Sequence, residues 1–311
     1  MTGATAYAGE LFALCAAFSF GLANVAIAKD APAGNGEGGV FLSAILTALL
    51  AAVAGGLSGQ SILAIDTGQA LWAAIGWFTV SGLLSTVGGR VTLFRSVELA
   101  GVIRASTTRR LMPVFALILS FLILGETASL TAGLGMLLVA ASFVLVLWDN
   151  RAALRRHSDE SRTQSLIFAG LAFGVLSAAL YSISLVVRKF GLAAVPNGFF
   201  GAFIGSLVAL LYYFAKGMVS DATRRMVRRT LTRPTLWQFL AALSMAVGQI
   251  TQFAALMFTG AARVAFINSV EIYISAALAV LVFRTEGVPG VPVLIAMSVA
   301  FGGVVLIAVG S

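Results

Sequence analysis

Apolar runs of about 20 residues recur along the whole chain, separated by short polar or glycine-rich breaks. As a helix, a run of this length crosses the ~30 Å hydrocarbon core of a bilayer. Backbone in lipid must satisfy its own hydrogen bonds, and the alternating pattern of barrel strands is absent. The pattern therefore predicts an all-α integral membrane protein with ten transmembrane helices. The predicted spans are 10–28, 40–57, 69–89, 103–124, 129–148, 165–187, 197–215, 236–258, 264–283 and 290–309.

The composition agrees with this fold class and disfavours an enzyme. Only 10% of the residues are charged and 59% are hydrophobic, whereas soluble domains are about 25% charged. The single cysteine, Cys15, lies in an apolar run and the single histidine, His157, lies in a polar segment. A nucleophile–base or metal constellation is therefore missing, as is a phosphate-binding glycine loop. We expect no catalytic residue, metal or cofactor. No basic segment precedes the first run, so we interpret it as a retained span and not a signal peptide.

The chain repeats itself at an offset of 159 to 160 residues. At 160, Lys29 at the end of the first run falls on Lys189, and at 159 "GRVTLFRSVELAGVIR" falls on "GQITQFAALMFTGAAR". The shared order of these matches indicates a duplicated five-helix unit. Because five is odd, the two units cross the membrane in opposite directions, which is a recurring transporter architecture with the substrate site between the repeats. The predicted units are residues 1–148 and 165–311, joined by a basic loop at 149–164.

The stretch that runs from "FRSVELAGVIRASTTRRLMP" through "LILGE" to "TAGLGMLLVAAS" resembles the EamA-type drug/metabolite transporters. The resemblance rests on Pro113 and on the sequence Leu-Gly-Glu that ends at Glu126. The second half departs from the pattern, since Tyr273 stands in place of the proline and Arg-Thr in place of Leu-Gly. The resemblance implies a transporter of small metabolites, often an exporter, with a central cavity between the repeats.

Lysine and arginine counts in the connecting loops predict the orientation. The segments 149–164 and 216–235, with Lys29 and Arg284, carry twelve basic residues on one side. The other side carries three: Arg188, Lys189 and Arg263. This count predicts that both basic loops are cytoplasmic in a bacterial inner membrane, whereas EamA-type transporters usually have the opposite arrangement. The basic loops are expected to contact anionic lipid and not nucleic acid, because no aromatic interleaving accompanies them.

The charges between residues 90 and 110 are concentrated next to the third and fourth spans. A charge inside a bilayer costs about 2.5–3.5 kcal/mol on insertion scales, so such residues usually face the bundle interior. Arg95 and Glu98 are three apart on one helical face and can form an ion pair. Arg90 flanks a predicted loop, and we expect its guanidinium to reach the membrane interface. Arg109 lies deeper and is a candidate for the cavity.

Glu271 is the most informative residue of the second half. It lies more than one turn inside its span, with no basic residue within six positions along the chain. A buried carboxylate must find a partner or take up a proton. We expect it to pair with Arg109 or Arg110 across the repeat interface, or to act as the proton-coupling site; a static ion pair is the alternative.

The candidate cavity residues are polar or charged side chains at the depth of the predicted spans. They are Asn24, Arg95, Glu98, Arg109, Arg110, Tyr181, Gln249, Gln252, Asn268, Glu271 and Tyr273. Arginines outnumber acids in this set, and guanidinium binds carboxylates bidentately. A carboxylate-bearing metabolite is therefore favoured over a bare cation.

These observations predict a secondary active transporter that moves small metabolites, such as amino acids or other carboxylates, by alternating access. The resemblance favours an exporter. The expected partners are the substrate, the lipid bilayer and a proton or counter-substrate; the substrate, driving force and oligomeric state stay open. A non-transporting membrane partner or sensor is the alternative, and a channel is disfavoured because no filter-like ring is visible.

Overall fold

The computed structural model contains helices as its only regular elements in the residues that it describes. These residues are 8–30, 36–59, 68–101, 105, 108–109, 111–125, 129–131, 133–135, 137–138, 141–142, 144–145, 161–284 and 290–310. The helices are α1 (Ala8–Asp30), α2 (Gly36–Leu57), α3 (Gln69–Ala100), α4 (Leu111–Leu124), α5 (Ser161–Ala194), α6 (Gly198–Val219), α7 (Asp221–Thr232), α8 (Leu236–Phe258), α9 (Ala261–Val282) and α10 (Val291–Gly310).

Seven of these helices are long and apolar enough to cross a membrane: α1, α2, α3, α5, α6, α8 and α9. Helices α4 and α10 contain shorter apolar stretches, Leu111–Ile123 and Leu294–Gly303. The predicted span 129–148 lies mostly outside the described residues. The outward surface is rich in large apolar side chains; Leu122 is 70% exposed and Phe214 is 69% exposed. Such a surface is suited to lipid and not to water, and the protein is a multi-pass membrane protein.

Two predicted span ends are wrong, and both errors affect charged residues. The third span was expected to end at 89, but α3 continues to Ala100 and buries Leu93 and Val97. The sixth was expected to cover 165–187, but α5 continues to Ala194. Arg188 and Lys189 are therefore inside a helix, and Arg188 is completely buried. In both cases an apolar face continues beyond the first charged residue.

The first helix of each half packs against helices of the other half. Helix α1 packs along α8 and α9, and α5 packs along α3 and α4, while α2 packs against α6. Glycines allow the close approach. A Cβ added at Gly248 would lie only 2.6 Å from the ring of Phe20 in α1. A Cβ added at Gly89 would lie 3.0 Å from the ring of Tyr181 in α5. Small residues of this kind let backbones approach in membrane bundles.

Two spanning helices depart from regular α geometry, α3 within its length and α9 at its C-terminal end. Residues Leu83–Gly89 of α3 and Leu278–Val282 of α9 are π-helical. A turn at Ser269 and Val270 also interrupts α9. Short π segments occur frequently at functional sites, and broken helices at membrane depth are found where they line a protein-enclosed site. These irregularities flank the buried charges described below.

Helix α7 is amphipathic and lies in the predicted basic loop 216–235. The Ser220 side chain caps its start by accepting a hydrogen bond from the Thr223 amide, 3.3 Å away. Thr223 and Thr230 are buried on one side. The four arginines, Arg224, Arg225, Arg228 and Arg229, are exposed. With its apolar and basic faces, the helix has the pattern of an interfacial helix and not of a span.

Candidate functional site

An ion pair joins α9 to the beginning of the fourth predicted span. Arg109 Nη1 donates a hydrogen bond to Glu271 Oε1, and the two side chains are only 6% and 4% exposed. Glu271 also accepts a hydrogen bond from Asn24 Nδ2 of α1 at 2.8 Å. It is the first residue of α9 after the turn at Ser269 and Val270. The break therefore sets the carboxylate at the meeting point of three chain segments, and the other two, those of Asn24 and Arg109, belong to the opposite half.

A small cavity lies beside this ion pair and is lined by side chains with unused hydrogen-bonding capacity. Its volume is about 10 Å³, and Arg109, Asn268 and Glu271 contribute to its walls. Asn268 is 3% exposed, and neither atom of its amide has a hydrogen-bond partner among the described residues. Arg109 Nε and Asn24 Oδ1 are also without one in the described part of the chain. The volume admits about one water molecule, so the structure shows a closed site with polar atoms still able to bind.

Arg90 is a second buried guanidinium and is 1% exposed. It follows the π segment of α3. Its Nη1 donates to Ser43 Oγ of α2 at 2.5 Å, and its Nη2 donates to Gln249 Oε1 of α8 at 3.1 Å. Arg90 Nε has no hydrogen-bond partner among the described residues. The prediction that this side chain reaches the membrane interface is wrong, because α3 runs on for ten further residues and keeps Arg90 inside the bundle.

Arg188 of α5 is a third buried guanidinium and has no exposed surface. Its Nε donates to Ser81 Oγ at 3.1 Å, its Nη2 to Ser85 Oγ at 2.9 Å and its Nη1 to Gln252 Oε1 at 2.6 Å. The guanidinium carbon also lies 4.4 Å from the centre of the Phe253 ring. Every partner is neutral, so these contacts hold the positive charge without cancelling it.

Tyr181 links the three arginines. Its ring faces the Arg109 guanidinium at 5.2 Å. It is also an electrostatic neighbour of both Arg90 and Arg188. Cations that face an aromatic ring in this way are attracted by its quadrupole. We call the set Arg90, Arg109, Arg188, Glu271 and Tyr181, with the amide and hydroxyl side chains that contact them, the central cluster.

The central cluster has more positive than negative charge. Within the described residues it contains three guanidiniums and one carboxylate, that of Glu271. A buried charge without a counter-ion is costly in a low-dielectric interior. An anion that enters the cluster would offset this cost. Guanidinium groups bind carboxylate and phosphate with paired, charge-assisted hydrogen bonds.

The structure brings together most, but not all, of the candidate cavity residues that were predicted from the sequence. Those inside the central cluster or against it are Asn24, Arg109, Tyr181, Gln249, Gln252, Asn268 and Glu271. Arg95 and Glu98 form the predicted pair at 3.1 Å, but their side chains are 58% and 31% exposed. They line a separate cavity of about 670 Å³ near the C-terminal end of α3. Tyr273 donates instead to the Met297 carbonyl of α10. Arg110 lies outside the described residues.

Sequence reasoning missed Arg188 and misplaced Arg90. Two adjacent cations, Arg188 and Lys189, suggest the end of a span. The apolar sequence "FGLAAV" nevertheless continues after them as far as Pro196. That continuation was the available signal that the two cations lie within a helix. For Arg90 the signal was the buried periodicity of Leu93, Phe94 and Val97 beyond it.

The structure is a bundle of membrane-length apolar helices around a buried charged cluster. Residues 7–148 match the model of the EamA-like transporter family, which is part of the drug/metabolite transporter superfamily. No curated protein matches the chain. One of 27 matching solved chains, a crystal structure of a protein, is similar over 97% of each chain with a TM-score of 0.65 and 16% identity. That likeness concerns the fold alone.

Proposed function

We propose that the protein is a secondary active transporter of small carboxylate-bearing metabolites, such as amino acids, and that the central cluster is its substrate site. The observation that carries this proposal is the excess of buried guanidinium: among the described residues, the cluster buries Arg90, Arg109 and Arg188 but only one carboxylate, that of Glu271. A cluster built for a cation would have the opposite balance. A purely structural cluster has no need of uncompensated charge, which only destabilises the bundle.

Transport is proposed to proceed by alternating access between inverted repeats, residues 1–148 and 165–311. The exchanged packing supports a two-fold relation, because α1 on α8 corresponds to α5 on α3. A matching detail supports it too. Thr92 donates to the carbonyls of Gly88 and Gly89, and Thr251, 159 positions later, donates to those of Val247 and Gly248.

In this proposal Glu271 occupies the place that the substrate carboxylate takes on Arg109. An arriving carboxylate would form the paired hydrogen bonds that guanidinium favours and would displace Glu271. The displaced carboxylate, still buried and without its cation, would take up a proton. Substrate and proton would both favour the state in which Glu271 is displaced from Arg109. Binding of either one would therefore raise the affinity of the protein for the other.

The closed geometry requires a conformational change before a metabolite can enter. The cavity beside Glu271 is about 10 Å³, whereas sites for small molecules are typically about 300–1,000 Å³. The turn at Ser269 and Val270 and the π segments Leu83–Gly89 and Leu278–Val282 are the irregular backbone next to the site. We propose that these segments act as the hinges that open it.

The proposed orientation places the basic segments 149–164 and 216–235 in the cytoplasm of a bacterium, with export as the direction of transport. The loop count supports it, because the two basic segments supply ten of the twelve basic residues on their side, and Arg188, counted on the other side, is buried inside α5. A Thr232→Cys variant with Cys15→Ser tests the orientation. A membrane-impermeant maleimide should label it in inverted vesicles and not in intact cells. Labelling in intact cells would reverse the orientation.

The transport proposal is tested with purified protein in liposomes. Uptake of a panel of carboxylated metabolites and amino acids is measured under an imposed pH gradient for wild type and Glu271→Gln. We expect wild type to move at least one panel member faster when the gradient is present, and Glu271→Gln to lose that acceleration. Glu98→Gln is the matched control, because Glu98 also pairs with an arginine but at an exposed position; its gradient response should equal that of wild type.

Each outcome separates parts of the proposal. Unchanged pH dependence in Glu271→Gln would exclude proton coupling at this residue and leave a structural ion pair. Transport of cations with no transport of carboxylates would contradict the charge argument. If no panel member, anionic or cationic, crosses the membrane, a non-transporting partner or sensor becomes the better description.

A further inference from the structure

An apolar groove runs along the outside of the bundle, between α6, α2 and the amphipathic helix α7. Its volume is about 520 Å³. We call it the α6–α7 groove. Its lining residues are Phe41, Leu207, Leu210, Leu211, Tyr213, Phe214, Gly217, Met218, Arg224 and Val227. Only one of these carries a charge, and that residue, Arg224, lies on α7 at one end of the groove.

The α6–α7 groove has the length of one acyl chain in one leaflet. Leu207, Leu211, Phe214 and Met218 follow the spacing of a single helical face. At 1.5 Å per residue, the distance from Leu207 to Met218 is roughly 16 Å, about half of the ~30 Å hydrocarbon core. Leu211 is 66% exposed, and Phe214 and Met218 are 69% exposed. The groove is therefore open towards the lipid along its whole length.

The charge lies at the end where a lipid headgroup would be. Arg224 and Arg228 are four residues apart on α7, so they share one face, and both are exposed. Arg224 contacts Asp221 at 3.4 Å, but the side chains are 67% and 75% exposed. Such an exposed pair is worth only about 0–1 kcal/mol and leaves the guanidinium available to a stronger partner.

We propose that the α6–α7 groove binds an anionic phospholipid, with one acyl chain along α6 and the phosphate between Arg224 and Arg228. The occupant follows from the combination of a narrow apolar groove one leaflet long and paired cations at its interfacial end. A soluble anion would use the arginines alone, and an uncharged lipid would use the groove alone. The lipid is the ligand that uses both. Because α7 leads directly into α8, which carries Gln249 and Gln252, the bound lipid would fix the helix next to one wall of the central cluster.

The test measures binding of phosphatidylglycerol to the purified full chain by native mass spectrometry, with phosphatidylcholine as the zwitterionic comparison. The double variant Arg224→Gln/Arg228→Gln should bind phosphatidylglycerol about 20–30-fold more weakly, since each direct hydrogen bond from an arginine to the phosphate contributes about fivefold. The matched control is Arg225→Gln/Arg229→Gln, which removes the same charge from a different face of α7. It should bind within about twofold of wild type.

A third variant tests the groove without changing any charge. Gly217 lines the groove, and a Cβ added there would meet no other atom within 4 Å, so Gly217→Trp is the variant chosen to fill the groove mouth. It should lower phosphatidylglycerol binding by at least tenfold. Equal losses in the two arginine pairs would show diffuse charge attraction and overturn the proposal. So would unchanged binding in Gly217→Trp, or full competition by soluble glycerol 3-phosphate at the same concentration as the lipid.

Discussion

The Arg109–Glu271 pair yields a quantitative prediction about stability. Both side chains are almost completely buried, so Glu271→Gln leaves a guanidinium without its counter-ion inside the bundle. Breaking a buried pair from one side costs about 3–5 kcal/mol, whereas replacing both partners with apolar residues is often neutral. We therefore expect Glu271→Leu and Arg109→Met each to be strongly destabilising alone. Their combination should be close to wild type, because no stranded charge is left.

The assay is reversible unfolding in mixed micelles, in which the SDS fraction at the midpoint reports the free energy of unfolding. Wild type, both single variants and the double variant form a double-mutant cycle. Glu98→Gln provides the exposed comparison, with an expected cost of about 0–1 kcal/mol. If the double variant is as unstable as the sum of the two single variants, the residues are not coupled and the reasoning from burial fails.

Two further predictions concern packing and the fixed geometry of guanidinium. Arg188→Lys should lower the apparent substrate affinity about tenfold or more in the liposome assay, because an ammonium group lacks the planar fork that contacts both serines and Gln252; unchanged affinity would remove Arg188 from the site. Gly82→Ala should destabilise the protein by about 1–3 kcal/mol in the SDS titration, because its Cβ would lie 2.8 Å from the Gly205 backbone. Gly76→Ala, with open space around it, should be neutral, and equal effects would contradict the packing.

The helices could be predicted from the sequence because one property, the length of an apolar run, determines whether a segment can span lipid. The predicted span 236–258 coincides with α8 (Leu236–Phe258). The run 10–28 lies within α1 (Ala8–Asp30). Helix ends next to charges were harder, because a long bundle helix can keep a cation inside when neighbouring helices solvate it. The serines and glutamines that surround Arg188 come from α3 and α8, and a local window of sequence contains none of them.

The central cluster was only partly predictable for a related reason. Glu271 can be predicted as a site residue because a carboxylate in an apolar run is unusual, and the sequence around it is enough to show this. Its contact with Asn24 joins residues 247 positions apart, which no periodicity encodes. The alignment of the two halves did point to Gln249, which occupies the position of Arg90 in the other half. It gave no indication that the two side chains would bond to each other.

The exchange of first helices between the halves also determines the order of events on the ribosome. Asn24 enters the membrane early, but Glu271 is synthesised 247 residues later, roughly 12–50 s at bacterial translation rates of about 5–20 residues per second. Arg109 precedes its counter-ion by 162 residues, or roughly 8–32 s at the same rates. During that interval the nascent chain carries a cation whose carboxylate does not yet exist. A chain released before residue 271 can therefore never neutralise Arg109 in this way, and α9 is the helix that supplies the counter-ion of a cation made in the fourth predicted span.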